Sequence, residues 1–210
     1  MYVKVLNINN GDAGAVVTTC PVCGNGGTFD RVNVPDLMLA EAGHITYWLG
    51  HRKCPNQDCN AHIFFRRNQQ GELTTNPSLR INFVTDNIPE QIRSSLEQSI
   101  TCHSEGCYVA AAIMVRRTLE ELCDDKASKG DNLKKRIENL QGNVLLPKEL
   151  FEAMDELRLL GNDAAHIESK DYDNIGSDEV EIAIELTKEI LKGVYQMDTL
   201  LSKLKGLKKA

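Results

Sequence analysis

The sequence predicts an α+β protein: a small β-rich unit pinned by a metal over residues 1–85, then an all-α bundle over 86–210. Three observations lead there. Four cysteines fall in two close pairs, Cys20-Pro-Val-Cys23 and Cys54-Pro-Asn-Gln-Asp-Cys59. The segments around them are short and rich in β-branched and aromatic residues, as strands are. From Pro89 onward apolar residues recur three and four apart, the helical period.

Taken in order, Met1–Ile8 alternates loosely and reads as a strand, and Asn9–Gly14 as a turn. A polar stretch follows the first cysteine pair, and Val32–Leu39 is apolar. Ile45–Leu49 and Ala61–Arg67 read as strands. Asn68-Gln-Gln-Gly71 reads as a hairpin turn that returns through Glu72–Thr75. Pro77 to Pro89 separates the two textures. Ile92, Leu96 and Ile100 form one helical stripe. Tyr108, Ala111, Ala112, Val115, Leu119 and Leu122 form a second, and Leu133, Ile137 and Leu140 a short third. Pro147 suits the first turn of a fourth helix continuing through Leu150, Met154 and Leu157. Asp178 to about Leu204 reads as one long amphipathic helix on Leu186, Ile190, Met197 and Leu204. Its acids lie at the start and its lysines at the end, in accord with the helix dipole.

Short Cys-x-x-Cys loops turn two thiolates toward one point without help from distant packing. Cys20, Cys23, Cys54 and Cys59 together supply a tetrahedral set for one structural Zn2+, and the long gap between the pairs leaves room for the strands of a zinc ribbon. Pro21 stiffens the first knuckle and Gly24 is placed for a left-handed turn. Four thiolates leave no open position for water, so the expected role is structural, and the ion supplies folding energy that so small a unit lacks. His103-Ser-Glu105 follows the cysteine pairs instead of preceding them, which argues against a zinc deaminase. Cys102, Cys107 and Cys123 read as reduced thiols.

The 210-residue chain has a formal charge of −6. Residues 1–85 hold seven Lys/Arg against six Asp/Glu, a net of +1, which leaves −7 for the remainder. Arg52, Lys53, Arg66, Arg67 and Arg80 read either as a local basic face or as solvated strand charges. The longest apolar run, Tyr108 to Val115, is too short to span a membrane. The start lacks the pattern of a secretory signal, and the odd cysteine count does not suit a disulfide scaffold. The expected location is therefore cytoplasmic.

A second constellation lies in the helical half. If the fourth helix runs on through Gly161, then Arg158, Asn162 and His166 stand at i, i+4 and i+8 on one face, about 40° apart. The second helix offers Arg116, Arg117 and Glu120 as a supporting polar network. One reading makes this a junction between helices in which Glu120 pairs with Arg158. The other makes it a nucleolytic site, with His166 as general acid or base, Arg158 stabilising phosphate charge and Asn162 orienting the phosphate or the His.

Arg117-Thr-Leu-Glu120 followed by Leu157-Arg158-Leu-Leu-Gly161-Asn162-Asp-Ala-Ala-His166 resembles the bacterial domain of unknown function 4145 family. Pro89-Glu-Gln-Ile and Tyr108-Val-Ala-Ala-Ala-Ile-Met-Val-Arg116 fit its pattern, and an N-terminal Cys-Pro-x-Cys-Gly ribbon is common in it. More distantly, the helical half is similar to the HEPN superfamily. That likeness implies a HEPN-like bundle, a homodimer through the helical unit, and a place in bacterial antiviral defence or restriction. Many HEPN domains are metal-independent ribonucleases in which four to six residues separate an Arg from a His; here seven residues separate Arg158 from His166. Two functions follow. One is an interaction module that binds nucleic acid or a defence-system protein. The other is a metal-independent ribonuclease using His166, Arg158 and Asn162.

Overall fold

The computed structural model describes residues 7–41, 44–166, 172 and 174–207. The chain is α+β: antiparallel strands first, helices after. It divides into two compact units, Met1–Asn82 and Phe83–Ala210.

In the first unit the strands are β1 (Asn7–Gly11), β2 (Val16–Thr19), β3 (Gly26–Arg31), β4 (Asp36–Glu41), β5 (His44–Lys53), β6 (His62–Asn68) and β7 (Leu73–Asn76). The long β5 organises them. β6 pairs along one edge of β5 and β7 continues beyond it. β4 pairs with the first part of the other edge, and β1 lies outside β4. At the far end of β5, Asp30 and Arg31 of β3 pair with Lys53 and Arg52, which attaches the β2–β3 hairpin. The expected turn over Asn9–Gly14 is in part strand, because Asn9 to Gly11 pairs with Met38 to Asp36. The expected strand at Met1–Ile8 lies outside the described residues for its first six positions. Gly26–Arg31, polar in sequence, forms β3 because Phe29 faces inward, opposite Val16.

Alternation along each strand sends one set of side chains into a core. Cys20, Phe29, Cys54 and Ile63 form one buried cluster; Ala13, Val16 and Phe65 form another, against Trp48 and Leu73. At about 25 cal/mol per Å2, a buried Phe or Ile contributes roughly 1.5–3 kcal/mol.

The second unit contains α1 (Glu90–Ser104), α2 (Tyr108–Asp125), α3 (Leu133–Leu140), α4 (Lys148–Ala165), α5 (Ser177–Leu191) and α6 (Met197–Gly206). α2 is the hub, packed against α1, α3, α4 and α5. Its Ala111, Ala112, Val115, Leu119 and Leu122 are fully buried, as are Leu96 of α1, Leu140 of α3, Met154 of α4 and Ile184 of α5. Asn132 caps α3, its side-chain oxygen accepting from Lys135 N–H at 3.0 Å. Pro147 precedes α4 as its N-cap, where a missing N–H costs nothing.

The long final helix is not uniform. A π-helical turn, Lys192–Gln196, joins α5 to α6. The buried face of α5 is Val180, Ala183, Ile184, Thr187, Ile190 and Leu191, with Leu186 only half-buried. Met197, Leu200, Leu201, Leu204 and Leu207 are exposed, so the expected stripe through Met197 and Leu204 does not reach the core. No helix among the described residues is long and apolar enough to cross a membrane.

Candidate metal centre and helical polar cluster

Cys20 ends the exit from β2 and Cys23 precedes β3; Cys54 leaves β5 and Cys59 precedes β6. Each knuckle is closed by its own backbone. Gly24 N–H donates to Cys20 O at 2.9 Å, with Gly24 at φ +73°, a conformation open to glycine. Cys59 N–H and Asn60 N–H both donate to Asn56 O, at 3.1 and 2.9 Å. Cys54 N–H donates to Ala61 O at 2.7 Å.

The four sulfurs lie within 4.8 Å of one another. Cys20 Sγ to Cys59 Sγ is 3.9 Å and Cys23 Sγ to Cys54 Sγ is 3.8 Å. A tetrahedron of thiolates around one ion at a metal–sulfur distance of about 2.3 Å has edges of about 3.8 Å. The donor set thus fits a single metal ion. The sulfurs differ in character. A hydrogen bond from the Asn25 backbone draws the Cys23 thiol down to about 7, while burial pushes Cys54 up to about 12. Crowded thiols resist joint ionisation without a cation, so metal binding here would release protons. Asn56 adds an outer contact that sequence reading missed: its amide lies 3.8 Å from Cys23 Sγ, while its carbonyl oxygen accepts from Asp58 N–H.

Of the five cations read as a basic face or as solvated strand charges, Arg52 is neither. It is 1% exposed and grips Asp36 with both terminal nitrogens, each at 2.7 Å. Its guanidinium also donates to the carbonyls of His51 and Gly14 and lies 4.7 Å over the Phe65 ring. Asp36 further accepts from Ala13 N–H at 3.0 Å. Burial pushes the Asp36 carboxyl up, but the Arg52 fork and the Ala13 N–H outweigh it and hold it below the usual range. Arg67 is half-buried and donates to Ala15 O at 3.1 Å. Lys53 and Arg66 remain on the outer side, and Arg80 is exposed.

The helical cluster also rearranges. α4 ends at Ala165, and His166 is an extended, exposed residue whose N–H closes the last turn on Asn162 O at 3.0 Å. His166 thus stands one residue past the last helical residue, as the C-cap. Arg158, with its side chain 17% exposed, donates to Asp155 at 2.7 Å. Glu120 pairs instead with Arg116 at 3.0 Å, which corrects the expected Glu120–Arg158 contact. Arg116 also donates to the Arg158 backbone carbonyl at 3.1 Å. Arg117 pairs with the buried Glu121 at 2.9 Å. Arg116, Arg117, Glu120 and Glu121 line a cleft of about 450 Å3 with Arg136 and Ala165; Arg158, Asn162 and His166 are not in its lining. Gly161 explains how α2 and α4 come so close. A Cβ there would stand 2.5 Å from Arg116 Cβ and 3.2 Å from Ala112 O.

Residues 97–209, more than half of the chain, match the family model described as Domain of unknown function (DUF4145). The chain belongs to the DUF4145 family. The match takes in the end of α1 and all of α2 to α6, and leaves the cysteine unit outside. In this DUF4145 protein the Arg117–Glu120 and Leu157–His166 segments therefore lie inside the matched residues, and the four thiols lie before them. No curated protein and no solved structure matches the chain.

Proposed function

We propose that the protein is a two-part interaction module. Its N-terminal unit is a ribbon held by one structural zinc ion and contacts nucleic acid or a protein partner. Its HEPN-like helical unit brings two copies together, in a bacterial antiviral-defence or restriction setting. The observation that carries this reading is the convergence of four sulfurs at tetrahedral spacing, a set with no position left for a water nucleophile. Zinc suits an all-thiolate tetrahedron better than harder ions do. The pairing of Arg116, Arg117 and Arg158 with acids on their own helices supports a structural part for the helical cluster.

Dimerisation is supported by the last helices. α5 presents exposed Ile182 among Glu181, Glu185 and Glu189, and α6 presents its leucines beside Lys203 and Lys205. Two such helices laid antiparallel about a twofold axis set the acidic half of each against the basic half of the other.

The test is cleavage of a mixed RNA pool by the purified protein in EDTA, beside His166→Ala and Arg158→Ala. No cleavage by wild type is the expected result. Cleavage that leaves 2′,3′-cyclic phosphate ends and vanishes in both variants would establish the ribonuclease instead.

A further inference from the structure

The outward face of the β5–β6 ladder carries a row of rings and cations that no part of the metal centre uses. Register puts Lys53 opposite His62, His51 opposite Phe64, Leu49 opposite Arg66 and Tyr47 opposite Asn68. These residues share one face, because their neighbours Ile63 and Phe65 point into the core. Phe64 is 59% exposed, a large apolar ring on the open side of the sheet. His51 stacks on it with centroids 4.7 Å apart and planes 18° from parallel. His62 Nδ1 meets His51 Nε2 at 2.8 Å. Burial and the nearby His62 and Arg52 lower the His51 pKa. At the other end Arg66 lies 5.1 Å over the Tyr47 ring. The cations Lys53 and Arg66 thus stand on either side of the His51–Phe64 pair, roughly 13 Å apart along the strand direction. Asp30, in register with Lys53 on β3, is the acid at that edge.

We propose that this face binds single-stranded nucleic acid, with an unstacked base on the Phe64 ring and backbone phosphates against Lys53 and Arg66. Planar rings interleaved with cations match a polyanion that also has π faces. A duplex keeps its bases inside its own stack and has none to lay on Phe64, so the ligand is a single strand. The inference rests on the nucleic-acid arm of the proposed function.

The experiment is fluorescence anisotropy on the full-length, zinc-loaded protein. The probes are a labelled RNA of mixed sequence, about 12 nucleotides long, and the same RNA as a duplex. The expected result is preference for the single strand, weakened about 5- to 150-fold in Phe64→Ala and Phe64→Leu, the range of one base–aromatic stack. Phe64→Tyr keeps the ring and should keep the affinity. Arg66→Gln should lower the salt slope by about 0.7. Unchanged zinc content in each variant shows that the fold is retained. Single-strand binding indifferent to Phe64 and Arg66 would overturn this surface while leaving nucleic-acid recognition standing. Equal binding of duplex and single strand would overturn the stacking role. Wild type that binds neither would overturn the nucleic-acid arm itself and leave the protein partner.

Discussion

Replacing Asp36 by Ala should cost the N-terminal unit about 3–5 kcal/mol, because it strands a buried guanidinium. Asp36 accepts from both terminal nitrogens of Arg52 at 2.7 Å and from Ala13 N–H at 3.0 Å. With the carboxylate gone, Arg52 at 1% exposure keeps only two carbonyl acceptors, His51 O and Gly14 O. A unit of this size has a total stability on the order of 4–12 kcal/mol, so the loss is a large share of it. Arg52→Met should cost a similar amount by baring Asp36. The double variant, free of buried charge, should cost much less than the sum, with a coupling of at least about 2 kcal/mol. Trp48, the only tryptophan in the chain, lies on β5 four residues before Arg52 and reports on this unit by fluorescence. The assay is urea unfolding at a fixed excess of zinc, since bound metal adds its own stabilisation. The folded-state pKa of Asp36 is depressed, so its contribution is present above the unfolded value near 4 and is lost as pH falls through the folded value. Wild type should therefore show an acid limb that Asp36→Ala lacks. The exposed Arg31–Asp12 pair serves as control, and Arg31→Ala should leave the midpoint unchanged. A cost below about 1 kcal/mol for Asp36→Ala, or strict additivity in the cycle, would refute the account of a closed, desolvated fork.

Cys54→Ser should abolish stoichiometric zinc, read by elemental analysis, and shift Trp48 emission toward that of the unfolded unit; retained zinc would refute the four-sulfur assignment. Gly161→Ala should destabilise the helical unit by about 1–3 kcal/mol in thermal unfolding, because α2 stands in the way of the new methyl. Tyr195 donates to Asp125 at 2.6 Å under Lys126, which helps hold Asp125 below its usual range although burial pushes it up. Tyr195→Phe should cost about 1 kcal/mol near neutral pH. That difference should shrink as pH falls through the depressed Asp125 value, and again above the unfolded tyrosine value near 10, since the Tyr195 pKa is raised in the fold. Leu200→Glu with Leu204→Glu should halve the mass seen by light scattering; an unchanged mass would remove α6 from the dimer interface.

The metal centre was legible because its chemistry is local. Each knuckle is complete within a few residues, and only the meeting of the two needs the sheet. The helices from α1 to α4 were legible for the same reason: Ile92, Leu96 and Ile100, or Leu133, Ile137 and Leu140, declare a face by spacing alone. What failed was long-range. Nothing in the neighbourhood of Arg52 tells that Asp36, sixteen residues earlier, arrives across the sheet to neutralise it. The end of α4 was not legible either: the helix runs on past Gly161, as the spacing required, but stops at Ala165, so His166 caps it. The polar stretch after the first cysteine pair was not read as a strand, yet Gly26–Phe29 pairs with Val16–Thr19 because Phe29 and Val16 are anchored beneath them. The aromatic face on β5 and β6 was hidden by register: His51 and Phe64 are thirteen positions apart and become neighbours only once the hairpin closes.

Counted along the chain, Cys23 and Cys54 are 31 positions apart, and an ion between them closes that stretch into a ring. Closing a loop of this length removes roughly 3–4 kcal/mol of chain entropy from the unfolded state in the simple cross-link treatment. The ring contains β3, β4 and β5, and its ladder seam between β3 and β5 is only two residue pairs long. An ion held there would be a stitch at the shortest seam of the sheet. Drawing it out should free the β2–β3 hairpin first, with β4 to β7 laced by their longer ladders. Chelation should then unmake this unit in two stages, with Lys53 and His62, which flank the second knuckle, giving way before Tyr47 and Arg66.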